Sequence, residues 1–202
     1  MFPEIARDDV FRLETRRLWL RWPRGSDAPA VSALAGDWGV ARWTALIPHP
    51  YTIETAERCI LAARAGNARG SSLRFALTLK DFPRKFVGMA GIDATDDGPR
   101  LGFWLGRPYA GRGLMSEAAQ ALADALFRIT EAEELSTVIL TDNAASRAVL
   151  EKCGFVESER FETGFGRHAD SPVVRMTLRR DEWQASTGDV LRPALAFDRA
   201  LA

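Results

Sequence analysis

The glycines of one short run are the residues whose spacing most clearly suggests chemistry. The run reads LGFWLGRPYAGRGLMSEA and covers residues 101–118. Its alternating apolar start predicts a strand, and an apolar helix is predicted to begin near Arg112, so Gly106, Gly111 and Gly113 belong to the connecting turn. Such a turn directs free backbone N–H groups and the positive end of the helix at one point, and glycine lets a phosphate approach closely. The run therefore predicts a site for a phosphorylated molecule.

Three kinds of phosphate-binding turn can be compared with this run. A P-loop needs Lys and Ser or Thr after the second glycine of GxxxxG, but Arg112 and Gly113 stand there. A Rossmann fingerprint needs a third small residue and an acidic residue on the next parallel strand. Ser116 supplies the small residue, but the next carboxylates, within residues 131–134, precede a strand. The third kind is the pyrophosphate turn of a coenzyme A enzyme. A plain tight turn before a core helix stays open as the structural alternative.

A second run, TDNAASRAVLEKCGF at residues 141–155, follows a predicted apolar strand. Asp142 or Asn143 is a suitable N-cap and Gly154 is a suitable C-terminal stop, so a short helix is predicted between them. The spacing alone favours Asn143 as a cap and Ser146 as an exposed residue of the first helical turn.

Together the two runs resemble the GNAT superfamily of acyl-CoA-dependent N-acetyltransferases, and most closely its RimJ/RimL-type subgroup. The subgroup pattern GYWL-x-x-x-Y-W-G-x-G-x-x-x-E-A is matched by residues 102–105 and 109–118. The pattern N-x-x-S-x-x-V-L-E-K-x-G-F is matched without a gap by residues 143–155. Weaker matches at residues 13–21 and 47–57 agree. The resemblance is specific to the family but not to a substrate.

The order of predicted elements argues against a doubly wound parallel sheet. Alternating apolar residues predict strands at residues 13–22, 72–80, 85–93, 100–105, 135–140, 155–163 and 172–179. Longer helices are predicted at residues 52–68 and 112–129. Antiparallel strands followed by strand–helix–strand–helix–strand indicate an α+β fold with a mixed sheet. The resemblance implies a GNAT-like, mostly antiparallel sheet of about seven strands flanked by helices, with parallel strands 4 and 5 splayed apart.

We expect a single acetyltransferase domain over residues 1–202, with a core at about 13–180 and a C-terminal extension at 181–202. The tail after Trp183 could pack on the body or on a neighbouring subunit, so a homodimer is allowed for.

The resemblance implies transfer of an acetyl group from acetyl-CoA to a primary amine, of a protein N-terminus or of a small molecule, by direct attack on the thioester. It implies coenzyme-binding residues in both runs: Phe103, Trp104, Leu105, Tyr109, Gly111, Arg112, Gly113, Leu114, Met115, Ser116, Asn143 and Ser146. In the family the pantetheine lies in the splayed gap and pairs with the backbone of strand 4, here residues 103–105. The alternative is a module that binds acyl-CoA or another nucleotide without turnover.

The catalytic acid implied by the resemblance is Ser146. The family pattern places Ser146 near the sulphur end of the coenzyme, where its hydroxyl could donate a proton to the departing thiolate. Many members use a Tyr farther along this helix, and this sequence has none there. The segment that covers the acceptor pocket in relatives contains Trp43, His49 and Tyr51, whose structural alternative is the packing of a surface loop.

The sequence identifies the catalytic base less clearly than the catalytic acid. Asp93 ranks first among the candidates, because it ends the strand beside the motif strand and could face the cleft. The structural alternative, that it only caps the hairpin, is favoured over a catalytic role. Glu117 lies early in the motif helix, where its structural alternative is a favourable interaction with the helix dipole alone. Some subgroup members carry a carboxylate at the position corresponding to Phe165, and Glu162 is the nearest acid to it.

Composition excludes several function classes. The chain has 202 residues, 47% of them hydrophobic, and its 27 basic and 27 acidic residues give zero formal charge. No global field therefore favours nucleic acid or an acidic membrane. No apolar run approaches the ~20 residues of a membrane span, and no hydrophobic signal region is expected at the N-terminus. Cys59 and Cys153 are expected to be buried free thiols in a reducing cytoplasm. His49 and His168 are the only histidines, so no metal is expected.

Overall fold

The computed structural model describes residues 1–163 and 166–187. Its strands are β1 (Leu13–Glu14), β2 (Leu18–Arg21), β3 (Ser72–Leu79), β4 (Phe86–Thr95), β5 (Gly98–Leu105), β6 (Glu134–Leu140), β7 (Val156–Thr163) and β8 (Ser171–Arg179). Its α-helices are α1 (Ala28–Ala35), α2 (Trp38–Ala41), α3 (Ile53–Arg69), α4 (Leu114–Ile129), α5 (Ala144–Lys152) and α6 (Arg180–Thr187). The expected C-terminal extension begins in α6, and its residues 188–202 lie outside the described residues.

The described strands form one sheet in the order β1-β2-β3-β4-β5-β6-β8-β7. All neighbours are antiparallel except β5 and β6, which are parallel. The expected α+β fold, with a mostly antiparallel sheet and one parallel pair, is confirmed. The described residues contain eight strands rather than about seven, so the parallel pair expected as strands 4 and 5 is β5 and β6.

The additional strand comes from the N-terminal segment. We expected one strand over residues 13–22, but this segment turns back on itself, and β1 pairs antiparallel with β2. The backbone N–H of Thr15 donates to Leu18 O at 3.0 Å, and Thr15 Oγ1 accepts from Leu18 N at 2.9 Å. Leu13, Leu18 and Leu20 are all buried. The first arm has only two residues, Leu13–Glu14, which are too few to show an alternation of their own, so the sequence did not reveal the turn.

The two layers of helices leave part of one sheet face uncovered. The larger core lies where α4, through Leu122 and Leu126, packs on Phe75 and Ile92 of the sheet. On the opposite face, α1 and α3 bury small and branched side chains against β3 and β4. This second cover reaches only to Trp104 on β5. The same face of β5, β6 and β8 is therefore left to line a cavity.

Candidate active site

The parallel strands β5 and β6 pair at one register position and diverge beyond it. Their one register pair is Arg100 with Ser136, and Ser136 Oγ donates to Pro99 O at 3.4 Å. Beyond this point β5 continues to Leu105 without pairing to β6, while its other edge stays paired to β4. Backbone N–H and C=O groups on the β6 side of β5 are thus left for another partner, as expected for splayed strands.

A cavity of about 570 Å³ opens at this divergence. Four of the expected coenzyme-binding residues line it, namely Phe103, Trp104, Asn143 and Ser146. Leu105 and the turn at residues 109–116 do not belong to its lining. The predicted coenzyme set is therefore divided between the cavity and the beginning of α4.

The beginning of α4 has the backbone geometry that the glycine spacing predicts. Gly111 and Gly113 both have positive φ, 74° and 71°, a conformation that side chains with a Cβ rarely adopt. A Cβ on Gly111 would meet nothing within 4 Å, so the space above it is open. The backbone N–H groups of residues 111–116 have no hydrogen-bond acceptor among the described residues. Consecutive free donors at a helix N-terminus form a suitable site for a phosphate group.

The side chains of this turn divide into buried and exposed ones. Leu114 and Met115 are buried in the larger core, and Tyr109 is partly buried against it. These residues can therefore contact a ligand through their backbone groups. Arg112 is exposed, and its backbone carbonyl accepts a hydrogen bond from Arg17 Nη1 at 2.8 Å. Ser116 lies on the first turn of α4, half-buried.

Glu117 has a structural partner that the sequence did not indicate. Its carboxylate accepts hydrogen bonds from Thr15 Oγ1 at 2.6 Å, from Arg17 N at 2.6 Å and from Arg17 Nε at 2.7 Å. Burial by itself would raise the pKa of Glu117, but these hydrogen bonds and the Arg17 charge hold its pKa below the usual range. Glu117 therefore joins the first turn of α4 to the β1–β2 hairpin and steadies the glycine turn.

Asn143 combines a capping role with a place in the cavity wall. Its Oδ1 accepts from Ser146 N at 3.1 Å at the beginning of α5, which is the cap that spacing alone predicts. The residue is buried, yet it lines the cavity, and its Nδ2 donates to no described residue. Ser146 Oγ likewise has no hydrogen bond with the described residues. Both side chains thus keep polar atoms available to a ligand.

Asp93 lies in the cavity wall with a strong ionic partner. Arg74 Nε and Nη2 donate to its two carboxylate oxygens at 2.7 and 2.8 Å. These hydrogen bonds raise the pKa of the Arg74 guanidinium. A proton taken up by Asp93 would weaken both bonds. The role of Asp93 as base stays a prediction.

The other residues expected on the acceptor side do not all lie in the cavity wall. Trp43 lines the cavity, whereas the His49 ring packs against Trp38 at an interplanar angle of 56°, with ring centroids 5.2 Å apart. Tyr51 is buried, and burial together with a hydrogen bond to Cys59 raises the pKa of its phenol. Glu162 is exposed on β7 and does not line the cavity. Phe165 lies outside the described residues.

Three side chains of the cavity were not anticipated as functional. Arg100, His168 and Arg175 line it, and each has a ring or guanidinium nitrogen that is buried without a hydrogen-bond partner: Arg100 Nε, His168 Nε2 and Arg175 Nε. In the sequence they are isolated polar residues of two strands and a loop, a pattern typical of a solvated surface. Only the pairing of the strands brings them to one cavity.

The described residues include both cysteines, whose burial the sequence predicts. Cys153 is buried, and burial raises its pKa to about 11, as expected for an inert thiol. Cys59 is only half-buried and lines the cavity, so the expectation that both thiols are buried is wrong for it. Among the described residues no cluster could hold a metal ion, and none of the described helices has the length and apolarity to cross a membrane.

Comparison with known proteins gives one family. The profile of the Acetyltransferase (GNAT) domain matches residues 17–156. YdaF of Bacillus subtilis, whose name assigns it provisionally to the ribosomal N-acetyltransferases, is 26% identical over 101 residues, which is 48% of this chain and 54% of that protein. The chain thus matches about half the length of this curated relative.

Solved structures share the fold at low sequence identity. Mycobacterium smegmatis RimJ in complex with CoA-disulfide has a TM-score of 0.78 at 21% identity, covering 91% of this chain and 92% of that one. RimL, a ribosomal L7/L12 α-N-protein acetyltransferase in complex with coenzyme A, has a TM-score of 0.74 at 18% identity, covering 85% and 99%. The family resemblance read from the two sequence runs is therefore confirmed. On the profile match and the fold together, the chain belongs to the GNAT family of acetyltransferases.

Proposed function

We propose that this chain transfers an acetyl group from acetyl-CoA to a primary amine. The observation that carries the proposal is the combination of free N–H groups at residues 111–116 with a cavity at the divergence of β5 and β6. The amine nitrogen bonds to the thioester carbonyl carbon, the C–S bond breaks, and the thiolate leaves with a proton. The products are an N-acetylated amine and coenzyme A.

The donor set fits a long phosphorylated co-substrate. The turn at residues 111–116 offers main-chain donors and a helix N-terminus to its pyrophosphate. The unpaired edge of β5 at residues 103–105 offers backbone groups to the pantetheine amides. Asn143 Nδ2 offers a further donor from the opposite wall. The same residues would serve a binding module without turnover, so binding alone does not distinguish the two functions.

Removal of a proton from the ammonium is the step for which two side chains compete. Asp93, predicted from the sequence, is held by two hydrogen bonds from Arg74. His168 lines the same cavity and has an unpartnered Nε2. Asp93 would have to give up hydrogen bonds to accept a proton, whereas the ring nitrogen of His168 has no described partner to lose. We therefore favour His168, which stands three positions after Phe165, near which some members of the subgroup carry a carboxylate.

Protonation of the leaving thiolate is the role proposed for Ser146. Its hydroxyl has no described partner and faces the cavity from the first turn of α5. A thiol has a pKa of about 8.5, so the thiolate is a fairly good leaving group and the demand on an acid is modest. We therefore expect a smaller contribution from Ser146 than from the base.

The acceptor is proposed to be a protein N-terminus or a small-molecule amine, and not a nucleic acid. RimL is named as an acetyltransferase of ribosomal L7/L12 and YdaF as a putative ribosomal N-acetyltransferase. The chain has no net charge that would favour a polyanion. We further propose action in the cytoplasm, consistent with the two free thiols. A single domain over residues 1–202 and a homodimer remain proposals of the same kind.

The deciding experiment supplies the purified chain with acetyl-CoA and a panel of amines. The panel contains N-terminal peptides of ribosomal proteins, free amino acids, polyamines and aminoglycosides. Free thiol and acetylated product are measured together, and we expect them to appear in equal amounts with at least one amine. Coenzyme binding by calorimetry without thiol release for any amine would instead establish a non-catalytic module.

A further inference from the structure

The guanidinium groups of Arg100 and Arg175 suggest what kind of amine the cavity accepts. Building on the proposed amine acetylation, we propose that these two side chains form a carboxylate-binding subsite. The preferred acceptors are then amines that carry a carboxylate close to the reacting nitrogen.

The two arginines reach the same cavity from strands on either side of the divergence. Arg100 stands on β5 opposite Ser136 of β6, and Arg175 stands on β8 opposite Val138, two residues farther along β6. Directly paired residues project to the same sheet face, as do residues two apart on one strand. Both arginine side chains therefore project to the sheet face that α1 and α3 leave uncovered here, and both residues line the cavity.

Each arginine keeps a donor that the protein itself does not use. Arg100 Nη2 donates to Asp97 at 3.2 Å, but its Nε is buried without a partner. Arg175 Nε lies 3.4 Å from Glu159 Oε2, yet the two atoms are not aligned for a hydrogen bond, and this Nε is also buried without a partner. The side chains of Asp97 and Glu159 are 63% and 54% exposed, so water screens them and they compete weakly for the guanidinium groups.

The remaining charges of the cavity do not cancel this pair. Arg74 and Asp93 satisfy each other through two hydrogen bonds. Gly102, between Arg100 and Trp104 on the same face, leaves open space where a side chain would otherwise stand. An acceptor can therefore lie over β5 with its carboxylate on the arginines. The coenzyme phosphates have separate donors in residues 111–116, which do not line the cavity.

The test compares acceptors that differ only in one negative charge. One arm uses tetrapeptides identical except for aspartate or asparagine at the second position, and the other uses free alanine and alaninamide. Charge-assisted hydrogen bonds should make kcat/KM about 10- to 100-fold higher for the acid of a pair. A preference in the first arm assigns the subsite to a side-chain carboxylate of a protein N-terminus, and a preference in the second assigns it to the carboxylate of an amino acid.

Variants connect the preference to the arginines. Arg100→Gln and Arg175→Gln should each reduce the acid-to-amide ratio, and the double variant should bring it to about one while KM for acetyl-CoA is unchanged. Arg175→Lys retains the charge without an Nε donor, so its ratio should be intermediate. Arg160→Gln is the matched control, since Arg160 is exposed on β7, pairs with Glu157 and does not line the cavity.

Failure of this inference and failure of the proposed function have different signatures. Equal kcat/KM for acid and amide in both arms would overturn the subsite while leaving acetyl transfer intact. If no amine is acetylated, the proposed function fails, and the subsite is then judged by calorimetry with N-acetyl-aspartic acid amide against N-acetyl-asparagine amide. Binding of the acid alone, lost in the double variant, supports the subsite, and absence of binding by either compound overturns it.

Discussion

At the beginning of α4, the free backbone N–H groups belong to six consecutive residues, 111–116, which stand next to one another in the sequence. In the cavity beside β5, by contrast, the wall is made by residues of all the strands from β3 to β8, of α3 and α5, and of the connecting segments. The first region presents main-chain donors with little dependence on side-chain identity. The second presents charged and aromatic side chains, whose identity decides what binds.

This difference separates what is common to a family from what is particular to this chain. A phosphate needs only donors and a positive helix end, which the glycines Gly111 and Gly113 arrange locally. An acceptor amine must be oriented, deprotonated and distinguished from other amines. These are the tasks proposed above for Arg100 and Arg175 and for the two candidate bases, Asp93 and His168. We therefore expect substitutions in the cavity to change turnover and acceptor preference, and substitutions in the turn to change coenzyme affinity.

The largest effect is expected from the base in the cavity. His168→Ala should lower kcat by about 10²- to 10⁴-fold, the usual contribution of general base catalysis, with acetyl-CoA affinity retained. Asp93→Asn should lower kcat less, because Arg74 already occupies both oxygens of Asp93. Steady-state kinetics and calorimetry check both variants. A greater loss of kcat in Asp93→Asn would return the base to the residue that the sequence ranked first.

The next effect concerns the acid at the opposite wall. Ser146→Ala should lower kcat by about 10- to 100-fold, at the low end of general acid catalysis, and leave acetyl-CoA affinity nearly unchanged. Ser158→Ala on β7, which does not line the cavity, is the control. A raised KM for acetyl-CoA with constant kcat would identify Ser146 as a coenzyme ligand instead.

In the turn, Gly113→Val should weaken acetyl-CoA binding by about 10- to 100-fold, since a β-branched residue at φ 71° is strained and the array of donors must shift. Calorimetry measures the dissociation constant, and circular dichroism confirms folding. Gly25→Val is the control, because a Cβ there meets nothing within 4 Å and its φ is ordinary. Unchanged affinity in a folded Gly113→Val protein would place the phosphate elsewhere.

Asn143 joins the two regions, and its substitution should have a moderate effect. Asn143→Asp keeps the oxygen that caps α5 but removes the Nδ2 donor, so the melting temperature should stay nearly constant while acetyl-CoA affinity falls about 10-fold. Thr52→Asp makes the same kind of change at the cap of α3, outside the cavity, and should leave affinity intact. Equal affinities in wild type and Asn143→Asp would limit Asn143 to its capping role.

The smallest effect is on stability, through the support behind the turn. Because the pKa of Glu117 is lowered in the folded chain, its carboxylate stabilises the fold above its unfolded pKa of about 4.5, and this stability is lost as pH falls through the lower folded pKa. Glu117→Gln should therefore reduce the free energy of unfolding by about 1–3 kcal/mol at pH 7. The difference from wild type should shrink below pH 4.5 in urea titrations. Glu131→Gln removes an exposed carboxylate and is the control, with a free energy of unfolding close to that of wild type at pH 7.

The sequence by itself determined the parts that depend on neighbouring residues. Positive φ at Gly111 and Gly113, the cap at Asn143 and the β4–β5 hairpin, with its turn before Gly98, are all set within a few residues. These local preferences were sufficient to predict the order of elements and the two family motifs. The turn at Thr15 escaped prediction, because the two residues of β1 are too few to show an alternating pattern of their own.

The tertiary structure alone decided which side chains share the cavity. Asp93, Arg100 and Arg175 meet because β4, β5, β6 and β8 pair in one register, and His168 joins them from a loop. A shift of one residue in any pairing would move a whole strand's side chains to the other sheet face. The register depends on the packing of both sheet faces over the entire domain. The coenzyme turn could therefore be predicted from the sequence, whereas the partners of Asp93 and Glu117 and the arginines of the acceptor side became evident only in the fold.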